Sequence, residues 1–587
     1  MYNQFLLNDF YKITHLLQYR PEITHLTSYL TPRGSRLKGE GIDEVTFFGL
    51  SGYITNYVER GFNENFFNRN WNFISHEVTE VLHLGLGYDE ELIHKTLDKL
   101  KRLHDLGYLP VEINAVPEGT SVPMGCPCVE IRSTNEYFPW VGQSLEASLS
   151  AAIWHPMLSA TIGRVYRNIA EKAYHDTVDD AIDPRSAMCD FSMRGQESNE
   201  SAVASSVGWL TAMTNSSTVM ARSYIEENYT DRPTDLAVRG LTSTEHSVMT
   251  SHACLDNGDE EPTFKYLFDL YKNVSFAAVS DSYDFWNVLT NILPRFRETI
   301  NERGKRGLFI GVRHDSADPV EAVCGIPVYK VKDVDISEAH IMGERFVTFK
   351  ETGRLITAKK IVIDHGDKKE IMVAGREGHF VSDEPLTWEE KGMVETLWEL
   401  FGGVINTKGY KVLNPGVKAV YGDSITVQRA RKIYSRLKAK GFAANNVSLG
   451  VGSFSFQCLE SHDGKQLLPF TRDSFSIAIK CTYSKYLDEN GEEKERFVFK
   501  DPVNFSGKKS QKGLCLVSIS ADGNLHYKDQ LTEKEREDYK LERWEKPAMV
   551  NYFIDGIQNR FSFNDVRETV NGYLDALEPL NLSKNND

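Results

Sequence analysis

The sequence has no long apolar run and no excess of positive charge. None of its apolar runs reaches roughly 18 residues, the length that predicts a membrane-spanning helix. The net charge at pH 7 is −16, and because nucleic-acid-binding domains normally carry a basic surface, this balance argues against a nucleic-acid partner. The first residues, MYNQFLLNDFYKITH, lack the basic start and the small-residue cleavage site of a secretory signal. We therefore expect a cytoplasmic protein with neither a membrane nor a nucleic-acid partner.

Cysteine is sparse and nearly unclustered. Of the eight cysteines only Cys126 and Cys128 lie close together, and one C-x-C without a second pair is a weak zinc signal. We expect buried, reduced thiols, which agree with a cytoplasmic location. A Walker A motif, a Ser-His-Asp signature and an HExxH motif are also absent from the sequence, so the chemistries of these motifs are not predicted.

What the sequence does contain is a repeated unit of strand, polar loop and helix. The chain has 587 residues, enough for roughly two to four domains. Short apolar runs are followed at once by polar residues at 187–195, 238–247, 274–284, 308–319, 417–424 and 446–453. Helical patterns lie between most of them, and this order predicts an α/β barrel or an open parallel sheet. In both folds ligands bind at the carboxyl ends of the strands, where we expect these polar residues to meet.

Three other stretches have patterns of their own. The apolar spacing of DEELIHKTLDKLKRLHDLG, residues 89–107, predicts a helix that ends at a glycine. A long helix is expected at about residues 145–175, interrupted or kinked at Pro156. The interval 325–386 alternates apolar and polar residues, which predicts an inserted β-rich module; it is either a solvated decoration or part of a substrate site.

Carboxylates follow several of the predicted strands, and the chemistry they suit is still open. Asp281, Asp315 and Asp423 could hold a metal ion, hydrogen-bond a sugar diol or stabilise a developing positive charge. Glycine-rich turns such as GVGS allow backbone N–H groups to approach a phosphate. Basic residues follow downstream, at Arg472, Lys480, Lys500, Lys508, Lys509 and Lys512. Acids for a diol, with glycines and lysines for phosphates, are what a phosphorylated ribose requires.

A series of motifs, in a fixed order, resembles the nicotinamide phosphoribosyltransferase family of type II phosphoribosyltransferases. The series is DFYKITHLLQY, AVPEG, DFSMRG, EHS, VSDSYD, R-x-D-S, KGYK, GDS, TRD, K-C-x-Y and FKDPV. Each motif alone is a weak signal, but their shared order is very specific. The resemblance implies an irregular α/β barrel domain, residues 156–464, that carries the active site and the 325–386 insert. It also implies a β-rich α+β domain built from both chain ends, 1–155 with 465–587, and a homodimer with shared active sites.

The reaction implied by the resemblance joins the pyridine nitrogen of nicotinamide to ribose C1. Phosphoribosyl pyrophosphate is the donor, pyrophosphate leaves, Mg²⁺ accompanies it through the substrate pyrophosphate, and nicotinamide mononucleotide enters NAD biosynthesis and salvage. The transition state is oxocarbenium-like, so no protein nucleophile is needed. The enzyme positions the base, screens the pyrophosphate and stabilises the cationic sugar.

The resemblance also implies roles for individual residues. The base would lie between Phe191 and the other subunit's Tyr11, with Arg194 at the same pocket. Ribose would contact Arg313, Asp315, Gly422 and Asp423, while Asp281 would face pyrophosphate and metal. Pyrophosphate would bind to Arg33, Lys500 and Lys508, and the 5′-phosphate to Gly452, Ser453, Arg472 and Lys480. ATP, where the family couples its hydrolysis to synthesis, would phosphorylate His246. Two simpler interpretations stay open: Asp315 could cap the following helix, and the lysine-rich run at 508–512 could be a solvated surface.

The sequence departs from the family pattern in two places. Ser217 stands where nicotinamide-using members have an acid that meets the carboxamide, so nicotinate is an alternative base. Around the 5′-phosphate, Ser453, Phe454 and Ala478 replace family residues, and about ten residues are inserted before TRD. One alternative is therefore ADP-ribose pyrophosphate as donor, which would give NAD directly. Outside this chemistry, the alternatives are a non-catalytic sensor on the same fold and a barrel sugar isomerase or aldolase.

Overall fold

A parallel sheet forms the centre of the chain. The computed structural model describes residues 3–231, 238–342, 345–350, 355–375, 378–461, 464–500, 511–520, 523–543 and 546–581. The seven strands of this sheet are, in spatial order, Asn215–Ser216, Met188–Asp190, Val447–Val451, Val417–Tyr421, Ile310–His314, Phe276–Val279 and Thr242–Ser243. All six polar-loop runs of the sequence supply one of these strands. The prediction of a parallel α/β arrangement is confirmed.

The two edges of this sheet approach each other through one short segment. Arg239 pairs in parallel with Asn215 at one edge, and Thr242–Ser243 pairs with Phe276–Ala277 at the other. The segment therefore borders both edges and curls the sheet into an irregular barrel. Strand Phe276–Val279 is buried along its whole length, as expected of a parallel strand covered on both faces.

Helices surround this sheet and follow its strands. Between the strands lie helices Asn199–Leu210, Met220–Asn228, His246–Ala253, Glu261–Leu270, Arg297–Lys305, Pro319–Cys324, Met393–Phe401 and Val427–Ala439. The helix Glu146–Thr177 precedes them and packs on Asn199–Leu210. Of the part of the chain that the structure describes, no helix combines the length and the apolar character needed to cross a bilayer.

Helix Glu146–Thr177 corrects one expectation. The sequence predicts an interruption or a kink at Pro156; the interruption is wrong, because the helix continues through that residue, and the kink stays a prediction. Two glycines pack there: a Cβ on Gly49 would lie 3.0 Å from the Pro156 ring, and one on Gly208 would lie 2.8 Å from its carbonyl oxygen. Neighbouring backbone thus packs against the proline on both sides. The predicted boundary between residues 155 and 156 falls inside this helix, and the domain boundaries stay predictions.

Both ends of the chain contribute to one antiparallel sheet. Its strands, in spatial order, are Glu493–Phe497, Ile477–Leu487, Ile23–Pro32, Val129–Ser133, Val111–Ala115, Val550–Ile554 and Ile557–Gln558. Helices Phe10–Gln18, Trp71–Glu80, Glu90–Leu106, Glu533–Arg543 and Phe563–Asn581 belong to the same sequence regions. The predicted helix at 89–107 is present, capped by Asp89 and ended by Gly107 in the left-handed conformation.

The insert lies between two adjacent barrel strands, Ile310–His314 and Val417–Tyr421. It forms one sheet from Val328–Lys330, Lys360–Asp364, Lys369–Gly375 and Gly378–Ser382, and another from Val334–Met342, Arg345–Lys350 and Leu355–Ala358. Its β-rich character agrees with the alternating pattern. Two-stranded sheets complete the fold, at Glu44–Thr46 with Ser121–Pro123, Gly403–Ile405 with Lys411–Leu413, Cys458–Glu460 with Leu467–Pro469, and Leu514–Ile519 with Leu525–Leu531.

A buried carboxylate, Glu118, ties the chain ends together. Its oxygens accept hydrogen bonds from the backbone N–H groups of Gly49 and Ser51, at 2.7 and 3.2 Å, and from the hydroxyls of Ser51 and Tyr229, at 2.7 and 2.9 Å. Its own N–H donates to Tyr552 Oη at 3.0 Å. Burial raises the pKa of Glu118 although these hydrogen bonds oppose the shift.

Replacing Glu118 by alanine is expected to lower the free energy of unfolding by about 3 kcal/mol, because buried donors lose their acceptor. Glutamine keeps the shape and can accept from both N–H groups, so Glu118→Gln should cost far less. A raised carboxyl pKa in the folded state means that stability falls as pH rises through that pKa, and Glu118→Gln should remove this slope. Chemical denaturation at several pH values measures both effects. Exposed Glu136→Ala is the control, and equal losses in Glu118→Ala and Glu136→Ala would contradict the prediction.

Candidate active site

The carboxyl ends of the parallel strands hold most of the residues singled out in the sequence. Phe191 follows Met188–Asp190, Asp281 follows Phe276–Val279, and Asp315 follows Ile310–His314. Gly422 and Asp423 follow Val417–Tyr421, and Gly452 follows Val447–Val451. Because the strands are parallel, all these carboxyl ends lie at the same end of the barrel. The expectation that the polar loops meet is therefore confirmed.

Arg313 and Asp315 form an ion pair at the carboxyl end of strand Ile310–His314. The guanidinium contacts both carboxylate oxygens, with Nε to Oδ1 at 3.0 Å and Nη2 to Oδ2 at 2.7 Å. Both side chains are mostly buried. Gly422 lies against the pair, because a Cβ there would be 2.8 Å from Asp315 Oδ1 and 3.1 Å from Arg313 Nε. A two-point charge-assisted contact of this kind holds the carboxylate in a fixed orientation.

Phe191 lies beside this pair with its ring partly buried. Its N–H donates to the Val451 carbonyl at 2.8 Å, and the Arg313 guanidinium carbon lies 5.5 Å from the ring centroid. A Cβ on Gly450 would lie 2.4 Å from two ring carbons, so only glycine leaves room for the ring in this position. The result is an aromatic face next to a carboxylate and a guanidinium, which suits a flat base joined to a sugar.

Among the described residues, one carboxylate oxygen of Asp281 accepts three hydrogen bonds and the other accepts none. Oδ2 accepts from the backbone N–H of Asp315 and of Ser316, each at 2.9 Å, and from Ser316 Oγ at 2.6 Å. Oδ1 is buried, has no hydrogen-bond partner among the described residues, and lies 3.9 Å from His246 Nε2. Burial alone would raise the pKa of Asp281, but the Ser316 and Asp315 hydrogen bonds, with His314 and His246 nearby, lower it.

His246 is half exposed at the start of helix His246–Ala253. Its Nδ1 lies 3.2 Å from Ser282 Oγ, so a hydroxyl and the Asp281 carboxylate flank the two ring nitrogens. The Ser282 contact at Nδ1 orients the ring, and the exposed face leaves the imidazole open to a ligand.

Ser217 is exposed and its backbone is firmly anchored. Its N–H donates to the Asp190 carbonyl at 2.9 Å. The fully buried Asp190 carboxylate accepts from Ser192 N–H and from the hydroxyls of Ser206 and Ser216, at 2.8, 2.5 and 2.9 Å. Asp190 thus fixes the loops that carry Phe191 and Ser217, a role that sequence reasoning missed.

The loop after strand Val447–Val451 has open space at Gly452 and a close contact at Ser453. Among the described residues, nothing lies within 4 Å of a Cβ built on Gly452, which leaves its backbone accessible to a phosphate. By contrast, a Cβ on Gly195 would lie 2.1 Å from Ser453 Oγ, so Ser453 occupies the space above Gly195. Phe454 begins a short helix and is partly exposed. Arg194, next to Gly195, is exposed.

The other predicted residues form a second group, on the regions of the antiparallel sheet. Tyr11 is exposed on helix Phe10–Gln18, and the Lys12 ammonium lies 5.7 Å from its ring. Glu146 pairs with Lys12 and, at 3.5 Å, with Lys480. This group also contains Arg33, Arg472 and Lys500, whereas Lys508 lies outside the described residues. Where the structure is described, no hydrogen bond or ion pair joins a side chain of this group to one of the barrel group.

Several contacts at the site had no clear sequence signal. Asp318, not Asp315, caps helix Pro319–Cys324 by accepting from two backbone N–H groups. Ser243 lies 3.4 Å from Arg313 Nη1, and Ser316 binds Asp281. All of them lie in the polar loops, but only the fold shows which side chains face each other.

Comparison with known proteins decides the family. Residues 186–541, more than half of the chain, match the model of the nicotinate phosphoribosyltransferase (NAPRTase) family. The chain belongs to this family. Residues 3–113 match the nicotinamide phosphoribosyltransferase N-terminal domain.

Individual relatives extend over most of the chain. A nicotinamide phosphoribosyltransferase of Acinetobacter baylyi is 32% identical over 90% of this chain and 91% of its own length. One of Mycoplasma pneumoniae is 26% identical over 81% of this chain and 88% of its own. Among solved structures, human nicotinic acid phosphoribosyltransferase overlays with a TM-score of 0.48 and 14% identity, covering 98% of this chain and 95% of that one. The family match and these relatives make the chain a phosphoribosyltransferase.

Proposed function

We propose that this chain joins nicotinamide to C1 of phosphoribosyl pyrophosphate, giving nicotinamide mononucleotide and pyrophosphate for NAD salvage. The observation that carries the proposal is the contact set of Phe191, Arg313, Asp315 and Gly422, an aromatic face beside a fixed carboxylate. Relatives of this length named nicotinamide phosphoribosyltransferase support the choice of base and donor.

The chemistry needs positioning and charge more than a nucleophile. The pyridine nitrogen forms a bond to C1 as the C1–oxygen bond to pyrophosphate breaks, and pyrophosphate leaves with the electron pair. Positive charge develops on the ribose, where the Asp315 carboxylate stabilises it. Phe191 holds the base plane, and Arg313 keeps Asp315 oriented while lying over the Phe191 ring.

Mg²⁺, ATP and a second subunit complete the proposal. In the described parts of the chain no cluster of three or more His, Cys, Asp or Glu residues could hold a metal, so Mg²⁺ would arrive with the substrate pyrophosphate. Asp281 Oδ1, which accepts no hydrogen bond from the described residues, suits a cation or its water beside the pyrophosphate, and Mg²⁺ would supply charge neutralisation.

ATP would phosphorylate His246. In a homodimer, the exposed Tyr11 would cover the base at the other subunit's Phe191. All eight cysteines are free, which supports a cytoplasmic location.

Product analysis tests this proposal directly. Purified protein is incubated with phosphoribosyl pyrophosphate, Mg²⁺ and either nicotinamide or nicotinate, and products are identified by mass spectrometry. Nicotinamide mononucleotide is expected as the product, and its formation should stop when Mg²⁺ is chelated; nicotinate mononucleotide alone would overturn the choice of base.

The intact mass after incubation with ATP tests His246 phosphorylation against a His246→Ala control. Light scattering tests the dimer, and cell fractionation tests the location.

Ser217 offers a specific change of base preference. Introducing a carboxylate by Ser217→Asp should increase the ratio of kcat/KM for nicotinamide over nicotinate by about tenfold, because it repels the nicotinate carboxylate and accepts from the amide. Steady-state kinetics with both bases measure this ratio. Ser217→Asn is the matched control, because asparagine has the shape of aspartate without its charge. An unchanged ratio in Ser217→Asp would place residue 217 away from the base.

A further inference from the structure

The turn that carries Asp315 has a strained backbone. Ala317, two residues after Asp315, has φ +71°, the left-handed conformation that is unfavourable for a residue with a Cβ. On one side of this turn, the backbone N–H groups of Asp315 and Ser316 donate hydrogen bonds to Asp281 Oδ2. A strained conformation persists only where surrounding contacts impose it, so the carbonyl side of the turn requires a partner as well.

That partner is the hydroxyl of Tyr421. It lies 2.9 Å from the carbonyl oxygen of Ser316 and 2.9 Å from that of Ala317, and donates its proton between them. Tyr421 is the last residue of the neighbouring strand and is fully buried, immediately before Gly422. One side chain thus connects the Asp315 turn with the Gly422–Asp423 loop, the two loops at the ribose position.

The ring of Tyr421 is itself fixed. It stacks on His314 with centroids 5.8 Å apart and 15° between planes, and His314 meets Phe285 edge-on at 4.0 Å. Burial raises the pKa of Tyr421, and the nearby carboxylates of Asp423 and Asp315 raise it further, so the hydroxyl keeps its proton. Burial lowers the pKa of His314, whose Nδ1 accepts from Ser316 N–H at 3.2 Å.

We propose that Tyr421 is a positioning residue for the ribose donor: its hydroxyl holds the left-handed turn at Ala317 and thereby sets the position of Asp315. The inference rests on the proposed function, because Asp315 is taken as the ribose-binding carboxylate. Phe191, the proposed contact of the base, is held by a backbone hydrogen bond to Val451 and not by this turn. Loss of the hydroxyl should therefore weaken the donor and spare nicotinamide.

The test compares Tyr421→Phe with wild type in kinetics with both substrates varied. Removing the hydroxyl should raise the KM for phosphoribosyl pyrophosphate by about tenfold and leave the KM for nicotinamide nearly unchanged. Adding Ala317→Gly to Tyr421→Phe should recover part of the loss, since glycine adopts positive φ without a Cβ penalty. Tyr434→Phe is the matched control, because that buried hydroxyl has no hydrogen-bond partner among the described residues.

A second variant and an exchange measurement test the same role of Tyr421. Ala317→Val, which disfavours positive φ and leaves the core intact, should raise the donor KM as Tyr421→Phe does. Amide hydrogen exchange at Asp315 and Ser316 should be faster in Tyr421→Phe, and this readout needs no turnover. Equal rises of both KM values, no recovery in the double variant, or unchanged exchange would overturn the role of Tyr421. Wild-type protein that makes no nicotinamide mononucleotide would instead overturn the proposed function.

Discussion

Asp315→Ala is expected to reduce kcat/KM by about a thousandfold while the protein stays folded, because a preorganised charge at a developing cation contributes about 4 kcal/mol. The carboxylate is held by Arg313 at 2.7 and 3.0 Å. It lies against Gly422, which has no side chain to cover it. Its orientation is thus set before any substrate binds. Steady-state kinetics with phosphoribosyl pyrophosphate and nicotinamide measure the loss.

The matched control for this variant is Asp318→Asn, three residues further along the same loop. Asp318 accepts from the N–H groups of Val320 and Glu321 as a helix cap, and asparagine caps about as well as aspartate. Activity should therefore be nearly unchanged in Asp318→Asn. Asp315→Ala with more than about a tenth of wild-type activity would contradict the assignment of the sugar cation to Asp315.

The fold was predictable where the chain changes abruptly from apolar to polar. Strands such as Phe276–Val279 are apolar because both faces are buried, and their loops are polar because they meet at the open edge. The strand Asn215–Ser216 was missed because two residues carry no periodicity. The helix was not predicted to continue through Pro156, since the sequence cannot show that Gly49 and Gly208 pack against the proline.

The sequence nominates candidate residues for the site but does not show which of them contact each other. Arg313 and Asp315 are two apart, so their pairing follows from one loop. The bond of Tyr421 to the Ala317 carbonyl joins residues 104 positions apart, and in the sequence Tyr421 is only the end of an apolar strand. Asp281 was expected to face pyrophosphate, yet one of its oxygens is used to hold the Asp315 turn. Long-range partners of this kind depend on strand register.

Phe191→Ala should raise the KM for nicotinamide by about ten- to hundredfold, in line with the effect of removing an aromatic ring that stacks on a base. The donor KM should change less, because Asp315 keeps its contact with Arg313. Phe191→Tyr retains the ring and should bind nicotinamide almost normally. Initial rates with nicotinamide varied at saturating donor measure the effect.

A pair of glycine variants tests the same pocket without touching Phe191. A Cβ at Gly450 would lie 2.4 Å from the Phe191 ring, so Gly450→Ala must displace the ring and should also raise the nicotinamide KM. At Gly452, two residues further along, a Cβ meets no described residue within 4 Å, and Gly452→Ala should leave nicotinamide binding intact. An effect of Gly452→Ala on the donor alone would fit a phosphate at that backbone. If Gly450→Ala leaves the nicotinamide KM unchanged, the base does not stack on Phe191, and the proposed pocket is wrong.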